Sequence, residues 1–272
     1  RRRVVERYRG LDWNFLADRM PGPSLYCSVR GGSSAVPHGQ RDIMSFNLVV
    51  GDEALIVNPA SGAYLDTTFS PRREELYDLT PAAKNAILIN GVGVEPKSAV
   101  KTAVIRAGGL EGIRIDATGA MGRSYDRPAA RFCGRAFFLL DGHALLIVDH
   151  VETGQVALIE NRLQTWATVK AARDAAGLTG RRQICRVQYA ATRPAKLVMC
   201  RPALTWPVEP STMLRWATAD LYESATFATV ISPGRGRVSV KVDERGARLV
   251  VRIAGPGWRR TVALTRRLRG IA

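Results

Sequence analysis

The sequence predicts an all-β protein, a large antiparallel β-sandwich behind a short N-terminal helical or linker segment. Two observations carry that prediction. More than a dozen short apolar runs recur along most of the 272 residues, separated by turns that are often marked by Gly, Pro, Asn or Asp, the punctuation of antiparallel strands. In addition, Phe137-Phe138-Leu139-Leu140 runs into Asp141-Gly142 and returns as His143-Ala144-Leu145-Leu146-Ile147-Val148. Asp-Gly between apolar runs is a strong hairpin signal, because both turn positions favour positive φ. The near-continuous hydrophobicity of this hairpin, over Arg135–Glu152, fits strands buried on both faces.

The elements follow in order. Residues 1–20 carry Trp13, Phe15 and Leu16 as apolar positions of a short helix or linker, stopped by Pro21-Gly22-Pro23. Leu25–Arg30 is a first strand. Ser45–Val50 and Ala54–Val57 flank Gly51-Asp52-Glu53 as a hairpin. Pro71–Thr80 is polar and Glu-rich, compatible with one or two helical turns. Ala86–Asn90, Ala99–Arg106 and Leu110–Ala117 read as strands. Beyond Gly154 come Val156–Leu163, Thr165–Val169, Arg182–Tyr189, Lys196–Cys200, Met213–Ala217 and Phe227–Ile231. Val238, Val240 and Val242 alternate with Ser239 and Lys241, the period-two pattern of a half-exposed strand. Leu249–Ile253 and Thr261–Leu264 close the set, and Val169–Ala176 is the other helix candidate. No composition shift divides the chain, so residues 23–272 are read as one sandwich domain and 1–22 as an extension.

Composition bounds the function classes. Apolar residues make up 46% of the chain, enough for a sizeable core, and no apolar run reaches the roughly 18 residues of a membrane span. Lys and Arg outnumber Asp and Glu 40 to 24, for a net charge of +16, and only six of the cations are lysine. That balance suits an acidic partner, or reflects an arginine bias of the source genome. The cations are scattered, clustering only at Arg1–Arg3 and Arg259–Arg269. No stripe with interleaved aromatics and no nucleic-acid motif is present, so nucleic acid is not an expected partner. The four cysteines lack metal spacing. They read as buried thiols, with a Cys185–Cys200 bridge left open. No apolar signal segment follows Arg1. Either one has been removed or the chain is part of a longer one, and the second is expected.

Chemistry concentrates in Pro37-His38-Gly39-Gln40-Arg41-Asp42, just ahead of the apolar Met44-Ser45-Phe46-Asn47-Leu48. A histidine, an amide, a cation and a carboxylate sit together on a loop at a strand entrance, the kind of position where sites are built. Two later segments belong with it: Asn58-Pro59-Ala60-Ser61-Gly62-Ala63-Tyr64 and Lys84-Asn85-Ala86-Ile87-Leu88-Ile89-Asn90-Gly91. On their own, His38, Arg41 and Arg72 read as solvated residues, Tyr64 as packing at a strand edge, and Asn85 as a turn cap. His143 reads as a hairpin residue and His150 as a satisfied core histidine.

Taken in order, these segments resemble the heparinase II/III family of polysaccharide lyases. Gly31-Gly32 leads to the loop that carries a His-x-His pattern in that family. The Ser45-Phe46 strand, the Asn58…Tyr64 segment, the Lys84–Gly91 strand and Val148-Asp149-His150-Val151 follow in the family order. The resemblance covers roughly residues 25–165. It implies a supersandwich-like β domain that packs on an N-terminal (α/α) toroid, a partner this chain does not contain. It also implies an acidic, uronic-acid polysaccharide as substrate, cleavage by β-elimination, and a periplasmic or secreted location.

The departures from the pattern matter as much. The positions that hold zinc in metal-bearing members are here Gln40, Asn58 and Lys84. Two neutral amides and an ammonium are poor zinc donors, so neither a metal nor another cofactor is expected. Instead the Lys84 ammonium is expected to replace the cation, hydrogen-bonded by the side-chain carbonyls of Gln40 and Asn58, because a buried charge needs partners. His38 matches the family's loop histidine and is the expected catalytic residue, imidazole being the side chain that ordinarily titrates near neutral pH. Arg41, Tyr64, Arg72, Lys84 and Asn85 are the expected substrate-binding residues. The alternative is a non-catalytic, metal-free glycan-binding or structural β domain. A third reading, anionic-surface binding by charge alone, predicts steep salt dependence.

Overall fold

A computed structural model describes residues 2–59, 63–205 and 209–271. The described residues form antiparallel sheets, with short 3-10 turns as the only helical elements. None of its helices is long and apolar enough to cross a membrane.

The largest sheet has eight strands, in the order Thr168–Ala171, Ala175–Thr179, Ile184–Ala191, Tyr222–Pro233, Leu145–Ala157, Phe132–Leu139, Leu110–Asp116 and Lys101–Ala107. It is the middle layer. One face meets a five-stranded sheet, Arg2–Tyr8 through Glu53–Ile56, and a four-stranded sheet built from Ala195–Cys200, Thr212–Thr218, Ile159–Thr165 and Ile87–Ile89. The other face meets a three-stranded sheet, Ser239–Arg245, Arg248–Gly255 and Trp258–Thr265.

The central hairpin shows why its sequence is apolar throughout. Phe137 pairs with Ile147 and Phe138 with Leu146. Because side chains alternate along a strand, Phe137, Leu139, Leu145 and Ile147 enter the core under the five-stranded sheet. Phe138, Leu140, Leu146 and Val148 enter the core under the three-stranded sheet. The Phe46 ring meets Phe137 edge-on at 5.4 Å, joining the layers. At the turn Asp141 and Gly142 both have positive φ, 51° and 78°.

Two local readings are corrected. The segment expected to be a helix or linker is, over residues 2–20, two paired strands, Arg2–Tyr8 and Trp13–Met20, continuous with Leu25–Arg30. Trp13 and Phe15 lie on one face and Asn14 and Leu16 on the other, a period of two that a short window disguises as helical spacing. Leu16 fills the core, while Tyr8, Phe15 and Tyr26 form a cross-strand aromatic row. Likewise Val169–Ala176 is a tight hairpin at the sheet edge, closed by Ala172 N–H donating to Ala175 O at 2.7 Å. Its alanines suggest a helix, but strand pairing overrides that weak preference. Pro71–Thr80 does form two 3-10 turns, Pro71–Glu75 and Tyr77–Leu79. The four cysteines are free thiols. Cys185 lies in the eight-stranded sheet and Cys200 in the four-stranded one.

Candidate functional site

The site lies where the loop before Phe46 and the turn before Ile87 converge over a fully buried ion pair. Arg135 and Asp149, paired across the central hairpin, are wholly inaccessible. Arg135 Nε donates to Asp149 Oδ1 at 2.6 Å and Arg135 Nη2 to Asp149 Oδ2 at 3.0 Å. The other end of the guanidinium donates to Met44 O at 3.0 Å and to Asn85 O at 2.6 Å. One side chain therefore pins both segments to the central sheet.

Asn85 completes this floor. Its Nδ2 donates to Phe46 O and Val57 O at 2.8 and 2.7 Å, and its Oδ1 accepts from Gln164 N–H at 2.6 Å. It is fully buried, and its amide is spent on these three backbone partners, the arrangement of a scaffold residue. Asn58 is also engaged. Its Oδ1 accepts from Ser45 Oγ at 2.8 Å, and its Nδ2 donates to Asp42 Oδ2 at 3.1 Å.

Lys84 follows the 3-10 turn Pro81–Ala83 and is 0% exposed. Its ammonium donates to Gln40 Oε1 at 2.5 Å and to Pro59 O at 2.7 Å. The expected Gln40 contact is present. The expected Asn58 carbonyl is replaced by the backbone carbonyl of the next residue, and the Asn58 side chain turns to Ser45 and Asp42 instead. Burial pushes the Lys84 pKa down to about 8, while the Asp42 and Asp78 carboxylates oppose the shift. These residues do not fit zinc: the space between Gln40 and Pro59 holds an ammonium, and neither neighbour is a histidine, thiolate or carboxylate.

Above this floor is an open cleft of about 180 Å³, lined by His38, Gln40, Tyr64, Arg73, Asp78 and Thr205 among others. His38 sits at positive φ, 55°. The Phe69 ring meets His38 edge-on at 5.4 Å and stacks on Tyr64 at 5.3 Å. Tyr64 is 75% exposed. Arg73 ties the walls together, donating to Gly39 O at 2.6 Å and to Thr68 O at 2.7 Å. A second hollow of about 310 Å³ lies across the same loop and shares His38, Gln40 and Arg73, with Arg41, Glu74 and Lys97 on its far wall.

The structure thus gathers His38, Gln40 and Tyr64 in one cleft, with Lys84 directly behind Gln40. Arg41 faces the second hollow, 3.2 Å from Glu74. Arg72 lines neither hollow; it is exposed and paired with Glu75 at 2.8 Å. Arg73 and Asp78 join the cleft without a sequence signal of their own. Successive residues of a 3-10 turn point about 120° apart, so of the two adjacent arginines only Arg73 turns inward. Asp78 is buried and accepts from Thr205 N–H at 2.8 and 3.0 Å, a contact too distant in sequence to anticipate. Residues 60–62 of the Asn58–Tyr64 segment lie outside the described residues. His143 stacks on Trp258 at 5.0 Å. His150 is buried against Thr226 and Glu152.

The sequence matches no family model and no curated protein. The fold does match solved structures. A "Crystal Structure of Heparinase III" superposes with a TM-score of 0.76 at 14% identity, covering 96% of this chain and 42% of that one. A heparinase III gene product gives 0.76 at 12% identity, with the same coverage. Heparan sulfate lyase HepC from Pedobacter heparinus gives 0.72 at 9% identity, covering 99% of this chain and 43% of that one. The chain has the fold of about two-fifths of each of these larger chains.

Proposed function

We propose that this chain is the β-sheet part of a polysaccharide lyase that cleaves an acidic, uronic-acid-containing polysaccharide by β-elimination. The observation that carries this reading is the placement of His38 and Tyr64 in one open cleft beside a buried cation. It sits on a fold shared with heparinase III and a heparan sulfate lyase.

Elimination next to a uronate has three requirements. A base removes the C5 proton; the electron pair forms the C4–C5 double bond; the C4–O bond breaks and its oxygen takes a proton. Positive charge or hydrogen-bond donors must meet the carboxylate as it becomes an enediolate. In this reading His38 performs proton transfer, with Tyr64 as the neighbouring hydroxyl. Arg73, and Lys84 behind Gln40, supply positive potential. Arg41 and Lys97 extend it into the second hollow. The opposite wall, with the remaining acid/base group, is assigned to an (α/α) toroid in the parent protein, and the location to periplasm or outside the cell.

The alternative, a metal-free glycan-binding or structural domain, is favoured by one feature: the Lys84 ammonium stands where a metal would act. The two readings separate in an assay of the chain joined to its toroid, following unsaturated-uronate absorbance over several uronic-acid polymers. Product formation that falls at least a hundredfold in His38→Ala supports the lyase. Binding without product supports the alternative. Equal activity in wild type and His38→Ala removes His38 from the mechanism.

A further inference from the structure

A groove of about 360 Å³ lies apart from the His38 cleft, and its most exposed large ring is Trp166, 40% accessible. We propose that it is a second glycan subsite, which binds a pyranose unit further along the same polysaccharide that occupies the cleft. The proposal rests on the glycan-binding reading above.

The groove is built rather than incidental. Glu53 accepts from the backbone N–H groups of Arg181, Arg182 and Gln183 at 2.6, 2.9 and 2.8 Å. One carboxylate thereby fixes a turn that displays two consecutive arginines. A Cβ on Gly180 would stand 2.4 Å from Glu53 Oε1, so a side chain there would displace the carboxylate from the turn. The side chains beyond the turn stay available. Arg181 meets Glu209 at 2.9 Å and Arg182 meets Asp52 at 2.6 Å, with both guanidiniums mostly solvent-exposed. Exposed ion pairs are worth little, so a ligand can take over their donors and acceptors cheaply.

This is the chemistry a pyranose needs. Its C–H face packs on an indole, where an apolar surface meets an aromatic one. Its hydroxyls can donate to the Asp52 and Glu209 carboxylates, and an acidic substituent can accept from Arg181 or Arg182. Position links the groove to the cleft. Thr205 lines the cleft and Glu209 lines the groove. Four peptide units separate their Cα atoms by at most roughly 14 Å, a span that a short oligosaccharide bridges.

The test titrates the parent protein with a panel of uronic-acid polymers, and with the shortest oligosaccharide bound, following tryptophan fluorescence. Polymer binding should change the emission in wild type, and that change should be lost in Trp166→Phe. Trp166→Ala should weaken polymer binding about tenfold, the scale of one aromatic contact, and leave short-oligosaccharide affinity within twofold. Arg181→Ala should weaken polymer binding in the same selective way. If wild type binds polymer and all three variants bind it equally well, the groove is not a subsite, while the cleft reading stands. If wild type binds no polymer, the glycan reading fails and this inference with it.

Discussion

The Lys84 ammonium donates to Gln40 Oε1 at 2.5 Å across 44 residues of sequence. This contact ties the turn before Ile87 to the loop that carries His38. It places a positive charge, rather than a metal-ligand set, beneath the cleft. Its stability signature is specific. Burial holds the lysine at about 8, against an ordinary 10.5. Below pH 8 both folded and unfolded chains hold the proton, and the cost of burying the charge is fully present. Between pH 8 and 10.5 the unfolded chain holds a proton that the folded one has released. Stability from this group therefore rises with pH across that window, by up to ~3 kcal/mol. Denaturant melts at pH 7.5, 9 and 10 should show wild type gaining on Lys84→Met over this range. Parallel curves would contradict the buried ammonium.

Arg72 and Arg73 give a paired contrast. Arg72→Ala removes an exposed contact to Glu75, and both the unfolding midpoint and lyase or binding activity should stay unchanged. Arg73→Ala frees Gly39 O and Thr68 O from a charged donor. Hydrogen bonds to charged groups contribute about 1.5–3 kcal/mol each when buried. Here, with partial exposure, a total loss of about 1–2 kcal/mol is expected. Activity should fall at least tenfold, since the loop bearing His38 loses its tether. Equal behaviour of the two variants would remove Arg73 from the site.

The buried pair beneath the site predicts a different pattern. Arg135→Met leaves the buried Asp149 carboxyl, whose pKa burial already pushes up, without its bidentate partner, and should cost about 3–5 kcal/mol. Replacing both, Arg135→Met with Asp149→Leu, should recover part of that loss, because no unpaired charge remains. Neither variant restores the bonds to Met44 O and Asn85 O. Hydrogen exchange should therefore stay faster around residues 44–46 and 85–87 in the double variant, even where its global stability recovers.

Much of this arrangement was legible in the sequence. The Asp141-Gly142 hairpin, its continuous apolar flanks and the alternation at Val238–Val242 are local signals, and local signals survive tertiary packing. The motif order placed His38, Gln40, Asn58 and Lys84 together, and the Lys84–Gln40 bond follows from the chemistry of burying a cation. That the second partner is Pro59 O rather than the Asn58 side chain turns on side-chain facing, with Asn58 directed to Ser45 and Asp42. Over residues 2–20 the strands are hidden in the sequence because a two-strand edge with alternating aromatics resembles one helical turn over a few residues. Arg73 and Asp78 were invisible because their roles come from a 3-10 turn's facing and from a loop over a hundred residues away.

Gly39 lies between His38 and Gln40. A Cβ there would stand 2.4 Å from Ser34 O and 2.8 Å from Val36 O, both backbone atoms that cannot swing aside. Gly39 N–H also donates to Val36 O at 2.8 Å, and Gly39 O accepts from Arg73. In Gly39→Ala the loop must move, carrying the His38 imidazole and the Gln40 carbonyl with it. A misplacement of about 1 Å at a reacting group can cost on the order of a hundredfold in rate. Because the loop lies at the surface, the unfolding midpoint should drop little. A large loss of turnover with near-native melting, and a Lys84 pH profile altered by the displaced Gln40, is the expected result. Full activity in Gly39→Ala would show that the loop geometry at His38 does not set the chemistry.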